Sequence, residues 1–313
     1  MRAHRGRRGA HSGYDAQMTH DEWPALVYGE WKETLATLHM WTQIVGKVAV
    51  TCAPPENHSW HLAMQVTPRG LSTKTMYLER RPFSFEFDFR SHHLVLNTAD
   101  ERSATIDLEP MAVADFYELF LRMCHDAGYP VRIRPIPDEL PAPIPFEQDT
   151  QHASYDSAAV ERFHRALSQV DRVFRESRAG FVGKSSPSHF FWGAMDLAVT
   201  RFNGQPAPAR DPKEPRFMRE AYSHAVISHG FWPGNDHQHP DAAFYAYAVP
   251  EPAGFKEAIV KPAAASYVPL GEFLLPYAAV RESEDPDRAI LEFMTSTYEA
   301  AADRAGWDRA ALE

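Results

Sequence analysis

Apolar positions recur at helical spacing from Tyr28 to about Val48, where Trp31, Leu35, Leu38, Trp41, Val45 and Val48 share one side of a 3.6-residue repeat. This predicts a long amphipathic helix, ended by Pro54 and Pro55. The period then shortens to two. WHLAMQVTP, KTMYLERR, PFSFEFDF, HLVLNT and SATIDLEP alternate between short polar turns and predict an antiparallel meander from Trp60 to Leu108. Phe83, Phe85, Phe87 and Phe89 fall on its packed face, Ser84, Glu86 and Asp88 on its polar one.

A second helix is expected through MAVADFYELFLRMCHDAG, with Pro110 in its first turn and Gly128 as its stop, followed by a short strand, VRIRPI. Pro135, Pro137, Pro141, Pro143 and Pro145 then predict an extended surface connection. Asp156 is a suitable N-cap for a helix from Ser157 to about Arg178, with Val160, Phe163, Leu167, Val170 and Phe174 on one side. HFFWGAMDLAVTRF, EAYSHAVISHGFW, AAFYAYAVP and SYVPLGEFLLPY read as strands, and DPDRAILEFMTSTYEAAADRAG as a closing helix. Strands in runs followed by helices predict an α+β fold of two antiparallel meander halves, arranged as in a structural duplication. The expected organisation is an arm over residues 1–22, halves over 23–135 and 157–313, and the proline-rich connection over 136–156.

A length of 313 residues with 44% hydrophobic positions is sufficient for a substantial core. Apolar runs are broken well short of the roughly 20 residues that a membrane helix needs, and no apolar stretch follows the basic start, so neither a membrane span nor a secretory signal is expected. A cytoplasmic location is the expectation. The net charge of −10 argues against a nucleic-acid partner, since Arg2, Arg5, Arg7 and Arg8 form the sole dense basic cluster. Cys52 and Cys124 lack metal or redox spacing and read as core thiols.

Polar residues inside apolar elements are the candidates for chemistry. Gly183-Lys184-Ser185 resembles the end of a phosphate loop, but Arg178 stands where such a loop needs its first glycine. The sequence has no H-E-x-x-H, no G-x-S-x-G and no dinucleotide fingerprint. In the loop GNDHQHPD, His237 and His239 flanked by Asp236 and Asp241 have the composition of a metal site, without evident groups to orient the rings. His39, Gln43 and Lys47 recur every four residues and form a polar helix stripe, bordered by Trp41, suited to holding an anionic group or moving protons. Trp60 and His61 at a strand start would complete a cleft there.

In the second half Trp192, Asp196 and Thr200 would share a strand face, with His189 opposite unless a bulge near Gly193 changes the parity. His224, Ser228 and Trp232 would share a face of the next strand. If these faces meet, Asp196 orients His224 as a general base. The bland alternative is a buried Asp and His that only fix the fold.

TLHMWTQIVGK, NHSWHL, RGLST, HFFWGAMDLAVTRF, the EAYSH and GFWPG elements and AFYAYAVPEP resemble the bacterial domain-of-unknown-function family numbered 5996, from Trp23 to Leu312. The resemblance implies that His39, Trp41, Gln43, Lys47, His58, His61, His189, Trp192, Asp196 and His224 are motif positions. Ser59 and Ala225 depart from that pattern, which has Trp and Glu there. The resemblance implies no activity.

The resulting expectation is an enzyme acting on a small polar or anionic molecule in an aromatic-lined cleft between the halves. His224 is its expected acid or base, oriented by Asp196. Lys47 and His39 join the catalytic set, and Gln43, Trp41, His61, His189, Trp192 and Trp232 bind substrate. One variant has several histidines holding a metal ion. The alternatives are a noncatalytic small-molecule or peptide binding protein, and an oligomeric scaffold in which AFYAYAV pairs with another subunit. Cofactor and oligomeric state stay open.

Overall fold

A computed structural model describes residues 22–100, 103–214, 216–236 and 238–313, so all but the last residue of the expected arm lies outside the described residues. The chain is α+β, with two antiparallel sheets of six strands each. Helix α1 spans Tyr28–Gly46 and α2 spans Val48–Cys52, so the predicted helix is nearly continuous, broken at Lys47. Strands β1 (Gln65–Val66), β2 (Gly70–Ser72), β3 (Met76–Leu78), β4 (Arg81–Asp88), β5 (His93–Thr98) and β6 (Ala104–Asp107) form the first sheet. Helix α3 (Val113–Asp126) closes this half and stops before Gly128, which takes φ +80°.

The second half opens with α4 (Ser157–Arg178), capped by the Asp156 carboxylate, which accepts from the Ala158 and Ala159 amides. Strands β7 (His189–Phe191), β8 (Asp196–Pro206), β9 (His224–Trp232), β10 (Ala243–Val249), β11 (Ser266–Val268) and β12 (Glu272–Pro276) follow, with α5 (Arg216–Ala221) between β8 and β9. Helices α6 (Tyr277–Arg281), α7 (Pro286–Arg304) and α8 (Arg309–Leu312) end the chain. The element order repeats: long helix, meander, closing helix.

Three expectations need correction. Trp60 and His61 do not begin a strand; Asn57–Leu62 is a 3-10 segment, because His58 and Ser59 take left-handed backbone angles that no ladder accommodates. VRIRPI makes no strand, and its end is instead tied to the connection by the Phe146 amide on the Pro135 carbonyl, 2.8 Å. AFYAYAV cannot pair with a second subunit through its backbone, since β10 already lies between β9 and β12.

The two sheets meet at a seam. Met64 and Phe190 exchange backbone hydrogen bonds, 2.8 Å each way, and join the β1 and β7 edges antiparallel. Each meander starts at this seam and runs outward. Two hydrogen bonds contribute roughly 1–3 kcal/mol together, too little to hold the halves. Helix α4 contributes more. Its 22 residues extend roughly 33 Å, so it reaches from Phe89 of the first sheet, 5.9 Å from the His164 ring, to Phe244 of the second, 6.3 Å from Phe174. Val160, Phe163, Leu167, Val170, Val173 and Phe174 are buried along it, at roughly 1.5–3 kcal/mol each. On the same side, α3 covers the first sheet through Phe120 on Phe85, and α7 covers the second, its Thr297 hydroxyl accepting from His229 Nε2 at 2.9 Å.

Helix α1 ties the halves a second time. The fully buried Gln43 amide grips the Asp138 backbone with both ends, accepting from its N–H at 2.8 Å and donating to its carbonyl at 2.9 Å. Lys47, also buried, forms an ion pair with the Asp138 carboxylate and lies 5.7 Å from the Trp192 ring. Trp192 in turn packs against Gly46 and donates to the Leu62 carbonyl at 2.8 Å. The proline-rich connection is thereby anchored to the helix, with Phe146 and Asp149 wholly buried.

Two outcomes follow. Alanine is the better helix former, yet Gly46→Ala will lower stability by about 1–3 kcal/mol in denaturant unfolding, because its Cβ would sit 2.4 Å from the Trp192 ring. Asp138→Ala will cost about 2–3 kcal/mol by the same measurement and Lys47→Met clearly less, because only the first leaves a buried ammonium unpaired.

Candidate functional site

With helices on one side of the joined sheets, the chemistry collects on the other side of the second sheet. Alternation along β8 puts Asp196, Ala198, Thr200 and Phe202 on this face. Across the ladder, Thr200 meets Ser228, Ala198 meets Gly230, and Gly230 meets Tyr245. His189 pairs with Ala198 and Phe191 with Asp196, so His189 shares the face of Asp196. A regular strand would have put them on opposite faces. A tight turn at Trp192–Met195, with Met195 at φ +60°, reverses the chain and brings them together.

At one end of this face the Tyr245 hydroxyl donates to Asp196 Oδ2 at 2.5 Å. Gly230 makes this possible: a Cβ there would lie 2.0 Å from Tyr245 Cζ, so the ring lies across the glycine to reach the carboxyl. Tyr245 stacks on Tyr247 at 5.9 Å, and the Tyr247 hydroxyl meets that of Tyr222 at 3.0 Å. Thr200 and Ser228 hydroxyls bond at 2.8 Å between the strands.

Three carboxyls share this end. Burial pushes Asp196 up to about 7, Glu139 adds repulsion, and the Tyr245 hydrogen bond opposes them. Glu272 is likewise pushed up to about 7 by burial and by Asp196. Glu139 is raised by burial and by Asp138; its Oε1 occupies the space a Cβ at Gly193 would need. Near neutral pH the cluster therefore holds exchangeable protons. The ring of His39 reaches the same turn, with Nε2 2.9 Å from the Gly193 carbonyl and 3.0 Å from Gln43 Nε2. Burial pushes this imidazole down to about 4, so it is neutral near pH 7.

The other end of the face is basic and aromatic. His58, Trp60 and Phe202 pack together, with ring centroids 4.6 Å apart for His58 and Phe202. His189 lies edge-on to Trp60 at 6.1 Å; burial pushes it down to about 3, and its Nδ1 is buried without a hydrogen-bond partner. The His224 ring stands edge-on to His58 at 6.0 Å, with Nδ1 3.0 Å from the Ser223 hydroxyl.

The predicted pairing of Asp196 with His224 is not formed. His224 is registered with Pro206 and Phe231 with Leu197, which puts the two groups at opposite ends of the hairpin, roughly 25 Å apart. The helix stripe reaches only the Asp196 end, and His39 and His224 do not meet. Gln43 and Lys47 are occupied in gripping Asp138. Trp41 lies in the core between Phe116 and Tyr155, stacked at 4.7 and 5.5 Å. Trp192 packs on α1, and His61 accepts from the Glu56 amide at 3.2 Å. Trp232 is half-buried at the end of β9, opposite Ala243 and near the Asp196 end.

His237 lies outside the described residues, and His239 Nδ1 bonds its own loop at the Asp241 carbonyl. Among the described residues no three His, Cys, Asp or Glu side chains converge as a metal site, and no helix is long and apolar enough to cross a membrane.

Sequence reasoning missed Tyr245, Tyr247, Glu272 and Glu139. The two tyrosines are legible as an alternating pair on one strand face, although the same AFYAYAV pattern suggests a subunit contact. Glu139 carries no signal, because it reaches the face through a left-handed turn, φ +59°, in the proline-rich connection.

No curated protein and no solved structure matches the chain. A family model does, over residues 23–313, and its span takes in both sheets and both ends of this face. The chain belongs to the family of unknown function DUF5996.

Proposed function

We propose that the chain takes up a small cationic or neutral polar molecule on the tyrosine face of its second sheet, and that Asp196 exchanges a proton with it. The observation that carries this reading is a carboxyl held near neutrality, at about 7, with a tyrosine hydroxyl on one oxygen and two further carboxyls close by. A general acid or base works best when its pKa lies near the working pH. The same cluster repels an anion, which favours the polar over the anionic ligand class. An amine or guanidinium would gain on two counts, from the carboxylates and from the stacked rings of Tyr245 and Tyr247. Those rings also support a second reading, binding without turnover. Its experimental mark is uptake of an amine that the protein leaves chemically unchanged.

Benzylamine is a suitable probe. A cation binds the ionised carboxyls, so affinity must rise with pH through about 7, and binding at pH 6 must release protons. Calorimetry at pH 6 in buffers of differing ionisation enthalpy will show that release, and Asp196→Asn will suppress it along with most of the affinity. Benzylamine binding that is independent of both pH and Asp196 would remove the reading.

The same carboxyl governs stability. Its folded value is raised from the ordinary 3.8, so its contribution is fully present below about pH 4 and lost as pH climbs through about 7. Asparagine cannot ionise. Asp196→Asn will therefore gain on the native protein by about 4 kcal/mol between pH 4 and pH 8, read by urea unfolding at each pH. A constant difference across that window would contradict the assignment.

A further inference from the structure

The basic end of the face is not used by the Asp196 reading, and it has the construction of a second site. Lys184 is held in place by its backbone: its carbonyl accepts from the Phe202 amide at 2.9 Å, and Ser185 bridges Arg201 beside β8. Its ammonium lies 2.8 Å from His58 Nε2, 5.4 Å from the Trp60 ring and 5.0 Å from the Phe202 ring. His58 Nδ1 is 3.0 Å from the Glu220 carbonyl, an acceptor, so the ring proton resides on Nδ1 and Nε2 accepts from Lys184. The pair therefore carries one positive charge. An ammonium has three donors, and His58 takes one of Lys184's.

No carboxylate among the described residues lies within ion-pair distance of Lys184 or of Arg178, which donates to the neighbouring Ser185 hydroxyl at 3.4 Å. The Glu220 carboxylate acts on the His58 ring less than burial, the Glu220 carbonyl, Lys184 or His224 does. Other basic groups nearby behave differently: Lys74 is already paired with Glu56 at 2.7 Å. Two consecutive residues with side chains, His58 at φ +57° and Ser59 at φ +58°, hold the turn that points this imidazole toward Lys184. Left-handed backbone at non-glycine residues is costly and collects at ligand clamps. The unpaired Nδ1 of His189 lies against the same Trp60 ring.

We propose that Lys184, oriented by His58 and flanked by Trp60, binds the carboxylate of a small organic acid through its two remaining N–H donors. One ammonium matches a monoanion, and the partly exposed Trp60 ring accommodates the apolar remainder of the molecule. A phosphate dianion would find half the charge it needs and no use for the Trp60 ring. The site is independent of the Asp196 cluster, six positions away along β8 from Phe202, or roughly 20 Å.

The experiment is a titration of the full chain with phenylacetate at pH 7, followed by the ring protons of His58 and His224 in NMR spectra. Saturable shifts at His58 are expected, with benzylamine producing none there. Lys184→Met, at an exposed position, will weaken phenylacetate at least about tenfold while keeping the native unfolding temperature. Asp196→Asn will leave this titration unchanged, so the two sites fail or stand separately. The proposal is overturned if phenylacetate leaves His58 unmoved, if Lys184→Met binds as the native chain does, or if inorganic phosphate binds as tightly as phenylacetate.

Discussion

The structure depends on one constraint: two antiparallel edges, β1 and β7, meet at Met64 and Phe190 and are held there by a single long helix laid across them. An unpaired strand edge exposes backbone groups that seek a partner, and each half satisfies the other's. Because α4 spans the seam on one side, α3 and α7 are drawn to that side too, each burying its apolar stripe against the adjoining sheet. The opposite side of the second sheet is left for polar work. The segment Asn57–Leu62 reaches that side because the chain must pass over it to enter the seam at Met64.

On this face the charges are sorted. Three carboxyls gather where β8 begins, and an ammonium with two imidazoles gathers where it continues past Phe202. Between them stand small residues, Ala198, Thr200, Ser228 and Gly230, with aromatic rings at their flanks. Burial costs both ends, in opposite directions: it raises the carboxyls and lowers Lys184, His58 and His189. Groups destabilised in their charged forms gain most from a ligand of opposite charge. The tyrosine hydroxyl on Asp196 offsets part of that cost without removing it.

The elements most legible in the sequence are those whose period alone decides them. The phenylalanines of β4 and the stripe of α4 follow from alternation and from 3.6-residue spacing, and both form as expected. Residues 57–62 are not legible, since left-handed angles at His58 and Ser59 contradict the local preference of both. The site is half visible. Asp196, His189 and His224 stand out as polar groups in apolar strands, but their relative placement turns on the reversal at Met195 and on the register of a hairpin, neither of which periodicity encodes. His39, Gln43 and Lys47 illustrate the opposite error, because a polar stripe on a buried helix face can serve the fold as well as a ligand.

The most direct measurement is the titration of the Asp196 carboxyl itself, followed by the side-chain carbon resonance in isotopically labelled protein. A midpoint near 7, moving when Tyr245→Phe removes the hydroxyl, is the predicted result. A midpoint at the ordinary carboxylate value of about 4, indifferent to Tyr245, would contradict the account.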